Sequence, residues 1–288
     1  MPFTYNPDTK RKEKHMAIRI CLDAGHYGNY NRSPVVPSYY ESNMNWKLHL
    51  KLKAELEAYG FEVITTRENR NIDLSLSKRG KAAKGCDLFM SLHSNAVGGK
   101  LGNENVDRVD IYATLNRKAH DLAAKLATRI AEVMETKQGG FVKTRAASSG
   151  GEWYGVLRGC DSVGVPGMLV EHSFHSNTRS ALWLLEDANL DKLAAAEAAV
   201  LAEHYGLTKS DAPVPEPEAP AAFVPYMVRV TDETLNVRSG PGMNYGIETV
   251  VSKGEAFTII EHAYNGPTLW GKLKSGAGWI SLRLTEPV

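Results

Sequence analysis

No stretch of this 288-residue chain approaches the roughly 18 consecutive apolar residues that a membrane span requires, which argues against direct membrane insertion. The amino terminus, MPFTYNPDTKRKEKHMAIRI, carries charge but no apolar stretch ahead of a small-residue cleavage site, so no secretory signal peptide is expected. Residues 1–15 read instead as a polar arm outside the fold. Cysteine is scarce: Cys21, Cys86 and Cys160 are odd in number, far apart and without a CxxC, which argues against a disulfide framework and for buried small apolar side chains. Excess charge is also missing. With 34 Lys and Arg against 33 Asp and Glu, the formal net charge is +1. There is no broad basic field, so no nucleic-acid partner is expected.

What is present is an ordinary globular composition broken by one proline cluster. KSDAPVPEPEAPAAFVP, residues 209–225, holds five of the thirteen prolines. Such a segment cannot bury a core and reads as an extended, semi-rigid linker. It separates residues 16–208 from 226–288.

The first part alternates strand and helix signals. AIRICLD, FEVITT, DLFMSLH, VDRVDIYAT and VPGMLVEH read as strands. Between them, Met44, Leu48, Leu52, Leu56 and Tyr59 recur at helical spacing before Gly60, and SLSKRGKAAKG, RKAHDLAAKLATRIAEVMET and NLDKLAAAEAAVLAEHYG read as further helices. The expectation is an α/β fold with a mainly parallel sheet covered by helices on both faces. Residues 226–288 carry only short apolar runs between SGPG, NG and SGAG turns, the pattern of a small all-β barrel.

Four residues stand where predicted strands end or a helix begins: His26 in LDAGHYG, Glu41 in SYYESN, His93 in SLHSN and Glu171 in LVEHSF. Ligands bind at such strand ends in open α/β sheets. Three nitrogen and oxygen ligands would leave zinc a fourth position for water, as catalytic sites require, which makes hydrolysis the first hypothesis. Gly25 and Gly28 would let the chain turn sharply around His26, and Asp23 is a candidate acceptor to fix its tautomer. Glu41 in a first helical turn is also favoured by the helix dipole alone. Glu171 closes an apolar run, so its carboxylate must find a metal, a proton or a hydrogen bond. His172 and His175 form an HxxH pair on a loop-like stretch that fixes neither ring, and they read as surface or substrate-contact residues. His49 falls in the polar band of its helix.

These motifs, in this order, resemble the zinc-dependent N-acetylmuramoyl-L-alanine amidases of the amidase_3 family over residues 17–206. DAGHYG at 23–28, Glu41, TTRENRNIDLSLSKRG, SLHSN at 91–95 and LVEHSFHSN at 169–177 carry the resemblance. It implies that His26, Glu41 and His93 ligate zinc and that Glu171 is the catalytic acid and base. Asn95, Tyr27 and His172 are then expected to contact substrate. Ala24, Tyr27 and Ser173 depart from the family pattern beside the ligands, which bears on the shape of the substrate groove. Residues 228–285 resemble a bacterial SH3 domain of the wall-binding type, which makes Arg238, Asn244, Tyr245, Trp270 and Trp279 candidates for wall contact.

The resemblance implies a peptidoglycan substrate and cleavage between N-acetylmuramic acid and L-alanine. A wall hydrolase without a signal peptide but with a binding barrel is similar to phage endolysins, which are made in the host cytoplasm and act after a holin opens the membrane. A bacterial autolysin of the same activity is the alternative setting. Two other readings stay open at this point: a zinc peptidase of the stem peptide, although HxxE and HExxH spacings are missing, and a wall-binding adaptor with a structural metal.

Overall fold

The computed structural model describes residues 17–97, 102–209, 225–265 and 268–288. The expected arm at 1–15 and nearly all of the linker at 209–225 lie outside them. The chain divides into two compact units, Met1–Asp211 and Ala212–Val288. Among the described residues no helix is long and apolar enough to cross a membrane.

The first unit is built on six strands: β1 (Arg19–Ala24), β2 (Glu62–Thr65), β3 (Leu88–Asn95), β4 (Val109–Ala113), β5 (Gly140–Lys143) and β6 (Gly167–Phe174). Their order in the sheet is β2-β1-β3-β6-β4-β5. All neighbours run parallel except β4 and β6, which are antiparallel. The sheet is therefore mainly parallel, as the alternating pattern suggests, with one reversal beside the strand that carries Glu171.

Because side chains alternate across a strand, the two faces of the sheet have different fates. One face presents Ile20, Leu22, Leu88, Met90, Met168, Val170, Val109 and Ile111 to the main core. Helices α1 (Glu41–Ala58), α3 (His120–Met134) and α6 (Asp187–Tyr205) supply the other half of that core. Met44, Leu48, Leu52 and Leu56 make the buried stripe of α1, and Gly60, at φ 89°, ends the segment. His49 lies on this helix too, yet it is 2% exposed, so its polar-band placement is corrected.

The opposite face is covered only in part. The short helices α2 (Leu76–Lys81) and α4 (Gly155–Asp161) pack over Cys21, Phe89 and Leu169 in a smaller apolar cluster. Their backbones meet closely: a Cβ on Gly80 would lie 2.1 Å from the Val156 carbonyl oxygen. Farther along the strands, the same face carries Asp23, Ser91, His93, Glu171 and Asp110, and there it opens to a cleft. Helix α5 (Thr178–Leu185) completes the unit, capped by Asn177, whose side chain accepts from the Ser180 N–H. The three cysteines are free and buried.

The second unit is an antiparallel seven-stranded sheet formed by β7 (Tyr226–Val230), β8 (Thr234–Arg238), β9 (Ile247–Ser252), β10 (Ala256–Asn265), β11 (Thr268–Leu273), β12 (Trp279–Ser281) and β13 (Thr285–Pro287). Val228, Val230, Leu235, Val237, Ile259, Leu273 and Ile280 form its core.

Candidate metal centre

Three distant segments converge at the open end of the cleft. His26 follows β1 in the left-handed region at φ 59°, a conformation that costs a non-glycine residue energy and must be held by its surroundings. The holding groups are buried arginines. Arg79 donates from Nη2 to the His26 carbonyl (2.8 Å) and from Nη1 to that of Ala24 (2.8 Å), while Arg67 also reaches the Ala24 carbonyl. Glu41 opens α1 and is 1% exposed. His93 lies near the end of β3, with its ring over Gly25. A Cβ at residue 25 would stand 2.3 Å from His93 Cε1, so this glycine makes room for the His93 ring as well as for a turn.

The Glu41 carboxylate sits between the two imidazoles. Its Oε2 is 3.1 Å from His26 Nε2 and its Oε1 is 2.7 Å from His93 Nδ1. Oε1 also accepts from the Ser94 N–H (3.1 Å), and Oε2 accepts from Asn31 Nδ2. Burial alone would raise the Glu41 carboxyl, but the hydrogen bonds and charges of His26 and His93 outweigh it and hold it well below the usual carboxylate range.

The network behind His93 orients its ring. Ser91 donates to Asp23 Oδ2 (2.7 Å), and its oxygen lies 3.1 Å from His93 Nε2, placed to accept from that side of the ring. Nδ1 then faces the Glu41 carboxylate at 2.7 Å, so the ring turns this nitrogen towards His26 and Glu41. Asp23, 0% exposed and paired with Arg79 at 3.2 Å, therefore serves His93 through Ser91 and not His26 directly, as its place in the motif suggests.

The donor set fits zinc. One ligand atom from each of His26, Glu41 and His93 lies within 4.8 Å of the others. Two imidazoles and a carboxylate are zinc donors of the kind that catalytic sites use, with a further position left for water.

Glu171 stands next to this group, in register with His93 on β3 and with Asp110 on β4. The residue keeps some exposure, but its Oε2 is sealed from solvent and has no hydrogen-bond partner among the described residues. Burial, then the nearby charges of Glu41 and Asp110, push its carboxyl well above the usual range, against a smaller opposing effect of Lys143. A sealed, unpartnered carboxyl beside a cation site is fitted to exchange a proton with something bound there.

The other expected site residues fare differently. Tyr27 (38% exposed) and Tyr30 (53% exposed) stack with each other, and Tyr30 lies flat on the His26 ring at 5.1 Å. Both line a cleft of about 410 Å³ together with His26, His93 and Leu76. Asn95 is half-buried, and its Oδ1 accepts from the Ala96 N–H.

His172 is not a substrate contact. Strand alternation turns it away from Glu171 to the core face, where it is 0% exposed and lies 2.9 Å from Glu197 of α6 and 2.9 Å from the His93 carbonyl. His175 is buried as well, stacked on Tyr39 and bonded to Ser94. Tyr39 thus belongs to this core.

In the second unit, Arg238 donates to the carbonyls of Met243 and Tyr245, pinning the loop that carries Asn244. Tyr245 is 41% exposed. Trp270 is corrected: at 3% exposure it belongs to the packed interior, its indole nitrogen without a hydrogen-bond partner among the described residues. Trp279 is half-buried under Lys272.

Comparison with known proteins agrees with these features. The family model for N-acetylmuramoyl-L-alanine amidase matches residues 20–203, and that for a bacterial SH3 domain matches residues 233–285. The endolysin of Bacillus phage SPP1 is 28% identical over 275 residues, which cover 91% of this chain and 94% of that protein. Among solved structures, the catalytic domain of CwlV, an N-acetylmuramoyl-L-alanine amidase from Bacillus (Paenibacillus) polymyxa var. colistinus, matches with a TM-score of 0.56 at 20% identity, covering 66% of this chain and 99% of that one. The N-acetylmuramoyl-L-alanine amidase of Nostoc punctiforme matches with a TM-score of 0.56 at 18% identity, covering 66% of this chain and 97% of that one. These two likenesses establish the shared fold. The sequence match, which spans most of the chain and contains all four residues of the centre, shows that this chain belongs to the N-acetylmuramoyl-L-alanine amidase family.

Proposed function

We propose that the protein is a zinc-dependent peptidoglycan hydrolase that cuts the amide between the lactyl group of N-acetylmuramic acid and L-alanine, and that it serves as a phage endolysin. The observation that carries the metal reading is the convergence of His26, Glu41 and His93 from three separate segments, with one ligand atom of each within 4.8 Å of the others. In this reading His26 Nε2, His93 Nδ1 and the Glu41 carboxylate hold the ion. Zinc bound there supplies Lewis-acid polarisation of the scissile carbonyl and acidifies water towards neutral pH.

The remaining work falls to the chain itself. Glu171 takes the proton of the attacking water and delivers it to the departing amine of L-alanine, two transfers that suit a carboxyl raised above its ordinary range. Asp23, through Ser91, orients His93 so that Nδ1 faces the site. Arg79 and Arg67 hold the turn of His26. Tyr27 and Tyr30 offer an exposed aromatic shelf on which a sugar face can stack.

We take residues 16–208 as the catalytic domain, 209–225 as a linker and 226–288 as a wall-binding module, with Arg238, Asn244 and Tyr245 near its contact surface. Such a module raises the local concentration of a slow enzyme on an insoluble polymer without adding a chemical group. The endolysin assignment rests on the phage relative, whose likeness spans both parts of the chain.

Wall digestion by the purified protein, with and without chelator and with zinc restored, tests the proposal. Free L-alanine amino termini should appear only in the metal-replete samples. Termini farther along the stem peptide would instead identify a peptidase, and no termini at all would identify an adaptor.

A further inference from the structure

Beyond Glu171 in the strand order lie β4 and β5, and with them a group of cations. Asp110 stands opposite Glu171 in the antiparallel register and is 1% exposed. Two carboxylates side by side need cations. Lys143 Nζ lies 2.7 Å from Asp110 Oδ1, and Arg108 Nε lies 3.1 Å from the same oxygen. Asp110 thus holds both cations beside Glu171. Neither cation is enclosed: the Lys143 side chain is 33% exposed and that of Arg108 30%. The two Nη atoms of Arg108 make no hydrogen bond among the described residues. Two residues beyond Lys143, Arg145 adds a third cation, its guanidinium 4.1 Å over the ring of Trp153, which is 48% exposed.

The order of strands gives this patch a direction. His26 and His93 belong to β1 and β3, Glu171 to β6, and the cations to β4, β5 and the loop after it. An amide held between the metal ligands and Glu171 therefore sends one substituent towards Tyr27 and Tyr30 and the other over the cations. In the bond assigned above, the acid group of the sugar is itself the acyl half of the amide, so the sugar side is left uncharged. Free carboxylates belong to the peptide side.

We propose that Arg108 and Lys143, extended by Arg145, form a carboxylate subsite for the stem peptide, so that the peptide runs over β4 and β5 and the sugar over Tyr27 and Tyr30. The proposal rests on the amidase reading. Arg108 supplies the free planar donors, which suit a carboxylate in two-point contact, and Lys143 supplies charge.

The test compares two synthetic N-acetylmuramoyl-L-alanyl dipeptides that differ only in whether the residue after L-alanine carries a free α-carboxylate or the carboxamide. With the full-length protein, kcat/KM should favour the carboxylate by about 10- to 100-fold, the range carried by a hydrogen bond to a charged group, with the difference residing in KM. Arg108→Gln and Lys143→Gln should each bring the ratio towards one, and Arg108→Lys should restore part of it. A parent ratio near one overturns the subsite, even if a variant fails to fold. A parent-like ratio in both Gln variants overturns it too. If neither dipeptide releases an L-alanyl amino terminus, the amidase reading falls and the subsite with it; equal release from both removes the subsite alone.

Discussion

Replacing Glu171 with glutamine should move stability and activity in opposite directions. The substitution keeps the shape of the side chain and removes an ionisable carboxyl that burial and the charges of Glu41 and Asp110 raise in the folded state. At neutral pH such a carboxyl must bury its charge or take up a proton on folding, a cost of about 1 kcal/mol or more that the amide avoids, so the metal-free variant should be the more stable by that order. For a catalytic unit of this size, each kcal/mol corresponds to about 2–4 °C in Tm. Proton transfer by a positioned side chain contributes about 10²- to 10⁴-fold, so metal-loaded Glu171→Gln should clear walls slower by that factor, or about 3–5 kcal/mol of barrier. Melting curves of chelator-treated protein, metal analysis and wall clearing together make the assay. A variant that binds zinc and clears walls at close to the parent rate refutes the proton-transfer role. One that loses zinc along with activity shows instead that Glu171 is a ligand.

Other outcomes follow from the same structure. Gly25→Ala puts a methyl group into the His93 ring, so zinc affinity measured by competition with a chromogenic chelator should fall at least about 10-fold while the fold survives. Glu197→Ala leaves His172 buried without its carboxylate, a change that should cost about 3–5 kcal/mol in denaturant unfolding; a loss under 1 kcal/mol contradicts the pairing. Burial lowers His49 to about 4, so the unfolded chain binds a proton between pH 6.5 and about 4 that the folded chain does not. Stability should therefore fall by about 3 kcal/mol as pH drops through that window, and His49→Gln should flatten this part of the stability curve.

The parts of this structure that were legible in the sequence are those with long periods or crowded motifs. Helix α1 announces itself through Met44, Leu48, Leu52 and Leu56, and the five strands β1, β2, β3, β4 and β6 read as apolar runs. Strand β5 did not, because GFVK offers only four residues after paired glycines. Helix α4 was hidden by Gly155 and Gly159, whose absent side chains serve the close approach of α2 and α4. Helix α5 has a readable signal in Asn177, the cap three residues before Ser180.

At the site, His26, Glu41, His93 and Glu171 were each placed at an element boundary, and the fold brings them together. The errors came from the direction of side chains. His172 follows Glu171 directly, and alternation along β6 sends one into the cleft and the other into the core. Asp23 sits three residues before His26, yet its side chain points along the sheet to Ser91 and so to His93. Arg79 went unnoticed because its role depends on carbonyls far from it in sequence.

The claim that three separate segments form one zinc centre is tested most directly by diffraction from zinc-soaked crystals on both sides of the zinc absorption edge. The account predicts a single strong anomalous peak about 2.0–2.2 Å from His26 Nε2, His93 Nδ1 and a Glu41 carboxylate oxygen, with Glu171 outside bonding distance. A peak ligated elsewhere, or none at this cluster while the protein still clears walls, would contradict it.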